Sequence, residues 1–130
     1  MRATYVDSSA LVKLVVYEAE TEALRKFLAS SDQMTSSLVT RVELSRAVAR
    51  RLPEAGAVAQ ALLESVVIVG LDARIATRAA GLAPASVRSL AAIHLATALE
   101  LGADLTAFVC YDDRLSAAAT ALGLQVVSPR

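Results

Sequence analysis

Four kinds of side chain in this 130-residue sequence could do chemistry: carboxylates that follow apolar runs, one imidazole, one thiol and a set of guanidinium groups. Asp7 closes the run Ala3-Thr4-Tyr5-Val6, and Asp112 comes just after Ala107-Phe108-Val109-Cys110. Glu43 lies between Val42 and Leu44, with apolar Val39 and Ala47 four residues to either side. A carboxylate in such a helical stripe is costly to bury unless it is paired or metal-bound. A site built of carboxylates, without His or Cys, suits the hard cations Mg²⁺ or Mn²⁺. Such ions bind phosphates and activate water for in-line attack. The residues by themselves therefore reach metal-assisted phosphoester hydrolysis as one open chemistry.

Each acid also has a simpler reading. Asp7, Asp72 and Asp112 all precede helical patterns, where Asp is a favoured N-cap worth ~1 kcal/mol. Glu43 could lie at a solvated helix edge or pair with Arg46 or Arg50. Asp113 reads as a first-turn acid favoured by the helix dipole. His94, the one histidine, sits on an Ala- and Leu-rich stretch and reads as a satisfied, partly buried residue rather than a ligand. No Ser–His–acid arrangement can be assembled from it. The glycines are scattered, so there is no Gly-rich phosphate loop. Cys110, the one cysteine, excludes an internal disulfide and a cysteine zinc site.

The elements that must position these groups follow from periodicity. The 27 alanines against 5 glycines and 3 prolines favour helix over a turn-rich β-sandwich. Apolar runs predict strands at 3–6, 34–38, 66–69, 107–110 and 125–127. Helical patterns fill 10–16, 20–29, 38–51, 53–63, 73–80, 88–101 and 112–122. Strands alternating with helices imply a parallel sheet sandwiched by helices, in a single domain spanning 1–130. In such sheets sites form outside the carboxyl ends of the strands, where strand order reverses. If the strands before Asp7 and Asp112 are neighbours at that reversal, the two carboxylates converge.

Composition narrows the function classes. Thirteen basic and thirteen acidic residues cancel, which excludes a strongly basic nucleic-acid coat protein and leaves a local basic patch open. No stretch reaches the ~18 uncharged apolar residues of a membrane span. Without a secretory leader, the expected location is cytoplasmic. The mean hydropathy of +0.51 points to apolar surface buried against a partner.

At the same residues the chain resembles the PIN-domain family, and specifically the VapC-type ribonuclease toxins of bacterial type II toxin–antitoxin pairs. Tyr5-Val6-Asp7-Ser8-Ser9-Ala10-Leu11-Val12-Lys13-Leu14 is similar to the family's first motif, an Asp followed by Ser or Thr. Ser36-Ser37-Leu38-Val39-Thr40-Arg41-Val42-Glu43-Leu44 is similar to the second, which ends in a helical Glu. Leu90-Ala91-Ala92-Ile93-His94-Leu95-Ala96-Thr97-Ala98-Leu99 is similar to the third, and Tyr111-Asp112-Asp113-Arg114-Leu115 to the fourth. The resemblance implies a three-layer α/β/α sandwich around a parallel sheet of four or five strands, and a metal-dependent endoribonuclease that cleaves RNA, often tRNA or rRNA. It implies Asp7, Glu43 and Asp112 as ligands or orienters of Mg²⁺ or Mn²⁺, with Ser8 as the small hydroxyl residue supporting the first acid. It further implies a homodimer and a cognate antitoxin, a small DNA-binding protein whose C-terminal segment covers the active-site groove. The apolar faces of 10–16 and 23–28 are candidate walls of that groove, or else core.

One position departs from the pattern. The third motif usually carries an Asp three residues before the His, and this chain has Ala91 there. Deliberate replacement of a toxic acid, natural loss, and partial compensation by Asp113 all account for it. The first is favoured, because an active toxin harms its host and the helical offset of Asp113 from Asp112 gives different geometry. Impaired cleavage and weak Mg²⁺ or Mn²⁺ binding are the expectation. The alternative is a non-catalytic PIN-fold module that binds antitoxin or RNA. A phospho-acceptor receiver-like domain also gathers strand-end acids, but it uses a late strand-end Lys, and this chain has no Lys after Lys26. Phosphate contacts must come from Arg, which supplies eleven of the thirteen cations: Arg41, Arg46, Arg88 and Arg114 are the candidates, with Arg50 and Arg51 on the same helix as the first two.

Overall fold

Side chains alternate across a β-strand, so a short apolar strand can serve two cores at once. The first strand does this. The computed structural model describes Met1–Arg130, and in it β1 (Ala3–Val6) is buried at every residue. Tyr5 points into one apolar cluster and Val6 into another. Phe108 and Val109 divide in the same way on β4 (Leu105–Val109). With β2 (Gln33–Ser37), β3 (Val67–Val69) and β5 (Val126–Val127), these strands make an all-parallel sheet in the order β3-β2-β1-β4-β5.

Seven helices cover it: α1 (Ser8–Leu11), α2 (Thr21–Ala29), α3 (Val39–Arg51), α4 (Gly56–Glu64), α5 (Ala73–Ala80), α6 (Ser89–Glu100) and α7 (Asp113–Ala121). One face of the sheet packs on the first four through Leu11, Leu24, Leu44, Val48, Ala59 and Leu63. The other packs on α6 and α7 through Leu95, Ala98, Leu115 and Ala119. The expected three-layer sandwich with a five-stranded parallel sheet is therefore the fold.

The chain order places the reversal. From β1 the sheet grows through β2 to β3, then returns to lay β4 on the other side of β1. The two strands flanking the switch point are thus the ones that precede Asp7 and Asp112. The strand on the opposite side of β1 is polar where an apolar one would be usual: Thr35, Ser36 and Ser37 are all buried. It is tolerated because its hydroxyls are bonded. Ser36 donates to the carbonyl of Val6 and pairs with the Thr40 hydroxyl at 2.7 Å, which ties the exit of β2 to the first turn of α3.

Besides β4, which begins at Leu105 rather than at 107, three helix starts differ from the sequence pattern. The helix expected over 10–16 starts earlier, at Ser8, and tightens into a 3-10 turn over Val12–Leu14. Asp7 supplies the cap that starts it, and the β-branched Val12, Val15 and Val16 disfavour its continuation. Leu38, read both as the end of a strand and as the first residue of the next helix, is the N-cap of α3 and is 42% exposed. Pro53 opens a 3-10 turn over Pro53–Ala55 before α4 proper. The apolar faces of 10–16 and 23–28 are core, since Ala10, Leu11, Val12 and Leu24 are buried and Val15, Val16, Phe27 and Leu28 pack around them.

Candidate functional site

The carboxyl edge of β1 and β4 opens into a cleft of about 610 Å³. Four segments wall it: Asp7, Ser8 and Ser9 after β1; Glu43 on α3; Arg88, Leu90, Ala91 and His94 around the start of α6; and Asp112, Arg114 and Leu115 at the start of α7. Residues far apart in sequence therefore share one concave surface. Asp7, Glu43 and Asp112 are all on it, and so is Ala91.

Asp7 is the buried acid, 3% exposed. It caps α1, with its Oδ1 accepting from the Ala10 amide at 3.1 Å and from the Ser9 hydroxyl at 2.6 Å. Burial raises its carboxyl above the usual aspartate range, against the opposing pull of the Ser9 bond, nearby His94 and the Ala10 amide. Both hydrogen bonds fall on Oδ1, so Oδ2 carries none from the protein, and no Lys or Arg pairs with the group. A desolvated carboxylate without a counter-charge, on the wall of a cleft, is a place for a cation.

The hydroxyl that holds Asp7 belongs to Ser9, and Ser8, the expected supporter, lines the cleft beside it. Ser9 also accepts from the Tyr111 amide at 2.9 Å. One hydroxyl thereby joins the turn after β1 to the turn after β4. Cys110 lies beneath, fully buried, with its Sγ 4.0 Å from the Ser9 hydroxyl. Burial first, and the Asp7 charge second, push its thiol up to about 12, which makes it an inert packing group.

Glu43 does not pair with Arg46 or Arg50. Its Oε1 accepts from His94 Nε2 at 2.7 Å, and His94 Nδ1 in turn meets the Tyr5 hydroxyl at 2.6 Å. The carboxylate can only accept, so Nε2 carries the hydrogen; in the neutral ring this leaves Nδ1 to accept from the phenol. Burial, and then the Asp7 charge, raise the Tyr5 phenol well above its ordinary value, so it keeps its proton. The Tyr5 ring is fixed by stacking on Phe108, with centroids 5.0 Å apart, and meets the His94 ring edge-on at 5.9 Å. His94 is satisfied and 3% exposed, as its sequence context suggested, yet it is also part of the cleft wall.

Asp112 is exposed and caps α7 through an Oδ1 bond from the Leu115 amide at 2.9 Å. Asp113 is exposed and is not part of the cleft wall. Of the four candidate phosphate contacts, Arg88 and Arg114 line the cleft and pair with no acid. Arg41 and Arg46 do not line it; both are exposed on α3, whose cleft-facing position is taken by Glu43. On a helix of 3.6 residues per turn, Arg41, two residues before Glu43, faces the other way, whereas Arg46, three residues on, is a neighbour of Glu43 that still does not line the cleft. Arg51 is committed to Glu18 at 3.4 Å.

The donor set is hard oxygen throughout. Asp7 Oδ2, Glu43 Oε2 and Asp112 Oδ2 each lack a protein hydrogen bond, because the bonds to these groups fall on the other oxygen. This chemistry fits Mg²⁺ or Mn²⁺ in kind. It is thin in number: no three His, Cys, Asp or Glu side chains are drawn together into a ready-made coordination group, and Ala91 adds a methyl where another carboxylate would help neutralise the ion.

Comparison with known proteins is consistent along the chain. The PIN-domain family model matches residues 4–121. Ribonuclease VapC46 of Mycobacterium tuberculosis is 42% identical over 129 residues, covering 99% of each chain. Ribonuclease VapC35 of the same species is 43% identical over 129 residues, covering 96% of each. Among solved structures, M. tuberculosis VapC20, a Sarcin-Ricin loop cleaving toxin, matches with a TM-score of 0.77 at 18% identity, over 97% of this chain and 99% of that one. A toxin–antitoxin complex from Klebsiella pneumoniae matches with a TM-score of 0.76 at 20% identity, over 98% of both chains. At these identities the two structures bear on the fold alone.

Proposed function

The chain belongs to the PIN-domain family, among its VapC-type ribonuclease toxins, and from that premise we propose that it is an Mg²⁺- or Mn²⁺-dependent endoribonuclease whose cleavage is impaired by Ala91. The observation that carries this reading is the meeting of Asp7, Glu43 and Asp112 on one cleft at the switch point of the sheet, with Arg88 and Arg114 unpaired on the same wall.

A divalent ion, when bound, would supply Lewis-acid stabilisation of phosphate charge and activation of water. The chain's own groups do the rest. Asp7 is held by Ser9 and the Ala10 amide, Asp112 by the Leu115 amide and Glu43 by His94, so each presents its second oxygen from a fixed position. Arg88 and Arg114 offer planar forks to the flanking phosphates of an RNA strand. Two unpaired guanidinium groups beside the acids support backbone recognition in a protein of zero net charge. With Tyr5, Phe108 and His94 turned into the interior, base stacking has no broad platform, and selection rests on RNA shape and a few bases.

The same reading assigns a cytoplasmic toxin, a homodimer and an antitoxin partner. An antitoxin Arg entering the cleft between Asp7, Glu43 and Asp112 would compete with the cation. Binding of a cognate antitoxin would then protect the cleft from Mn²⁺, which titration of the toxin–antitoxin pair against the toxin alone tests directly.

Ala91 favours a second reading, a PIN-fold module that binds antitoxin or RNA without cutting. Metal-dependent cleavage of total RNA by this chain and by Ala91→Asp separates the two. Cleavage gained in the variant supports the enzyme; inactivity of both supports the binding module.

A further inference from the structure

Glu43 reaches the cleft from α3, a helix with solvent on its outer face, and its side chain is a quarter exposed. A glutamate in that setting has three rotatable bonds and ordinarily spreads over several rotamers, an entropy that any ligand it binds must remove. Here its Oε1 is fixed by a ring that is itself fixed. His94 comes from the opposite wall, on α6, and both of its nitrogens are engaged: Nε2 by Glu43 at 2.7 Å and Nδ1 by Tyr5 at 2.6 Å. Tyr5 belongs to β1, is completely buried, and is clamped flat against Phe108 of β4. The chain Phe108–Tyr5–His94–Glu43 thus runs from the centre of the sheet to a carboxylate at the cleft wall.

Resting on the metal-dependent reading above, we infer that His94 is a positioning residue, anchored by Tyr5, that holds Glu43 Oε1 so that Oε2 is presented to a divalent cation. The hydrogen bonds that orient ligating carboxylates typically change metal affinity ~10–100-fold when removed. His94 needs no contact with substrate to act in this way.

Two amide substitutions separate positioning from plain packing. The amide of Gln reaches the place of imidazole Nε2, and that of Asn reaches the place of Nδ1. His94→Gln therefore keeps the donor to Glu43 and releases Tyr5, whereas His94→Asn keeps Tyr5 and releases Glu43. Mn²⁺ binding to the full chain, followed by electron paramagnetic resonance of the free ion, is expected to weaken about 10-fold in His94→Asn and to stay within about twofold in His94→Gln. Tyr5→Phe, which keeps the stacked ring and removes the anchor, is expected to fall between them. In the Ala91→Asp background, the Asn variant should lower kcat with little change in KM. Equal losses in the Asn and Gln variants, or no loss in either, overturn the inference. Asp7→Asn serves as the reference: if it weakens Mn²⁺ binding while His94→Asn does not, positioning fails and the metal reading survives; if neither matters, the metal reading itself fails.

Discussion

Asp7 and Asp72 begin from the same local instruction and end in different regions with different consequences. Each sits in extended backbone before a helix and accepts a hydrogen bond from the amide three residues on, Ala10 in one case and Ile75 in the other. Asp72 stands in open solvent at the start of α5, where capping accounts for it fully. Asp7 stands at the switch point of the sheet, buried, with its proton held more tightly than in solution and no Lys or Arg paired with it. Capping therefore does not by itself exclude a second role for an aspartate. Both residues cap; burial without a counter-charge is what distinguishes the one at the cleft.

The sharpest way to break this contrast is to complete the cleft. Ala91→Asp should raise metal-dependent RNA cleavage by roughly 10²-fold or more, as restoring a direct carboxylate recovers several kcal/mol of transition-state stabilisation. A gel assay on total RNA with and without Mn²⁺ reads it, and an unchanged rate and metal affinity would remove the assignment of a third acid to that position. Next come the two caps. Asp7→Asn should weaken Mn²⁺ binding about 10-fold or more, while raising stability by ~1 kcal/mol in metal-free buffer, since Asn caps as well as Asp and carries no desolvated charge. Asp72→Ala should do the reverse, losing ~1 kcal/mol on thermal melting and leaving Mn²⁺ binding unchanged.

The pH dependence of that stability difference sharpens the same point. The folded pKa of Asp7 is raised, so its favourable contribution is complete below the unfolded value near 3.8 and is lost as pH rises through the folded pKa. The advantage of Asp7→Asn over the parent should therefore be absent in acid, open as pH rises through that window, and level off above it. Glu20, lowered chiefly by its hydrogen bond from Lys13, has the opposite slope, but both proteins share it and it cancels in the difference. The smallest effect concerns Cys110. With its thiol at about 12 and no exposed surface, it should resist iodoacetamide at pH 8 in the folded chain and react promptly in urea; rapid labelling of the native protein would mean that the floor of the cleft opens.

Much of this architecture was legible before any coordinates. Alternating strands and helices specify a parallel sheet, and the rule that sites gather where strand order reverses put Asp7 and Asp112 together once β1 and β4 proved to be neighbours. Glu43 stood out because an acid between Val42 and Leu44 needs a reason. What the sequence hid were the partners of these acids. Tyr5 and His94 are 89 residues apart and His94 and Glu43 are 51 apart, and no local pattern announces such pairs. Ser8 and Ser9 are chemically identical neighbours, so only the turn geometry decides that Ser9 faces Asp7. Arg41 and Arg46 looked equivalent to Arg88 and Arg114 until the rotation of α3 turned them away from the cleft. Spacing along a helix gives relative directions, and tertiary packing supplies the absolute one.

β1 is four residues long, yet it spaces three things at once. Tyr5, which steadies the far wall through His94, is two residues ahead of Asp7, which forms the near wall, and Val6 between them is rooted in the opposite layer. A single inserted or deleted residue between Tyr5 and Asp7 would exchange the faces of everything beyond it. The strand acts as a ruler for the cleft: substitutions within it can be absorbed by repacking, whereas a change in its length would detune both walls together.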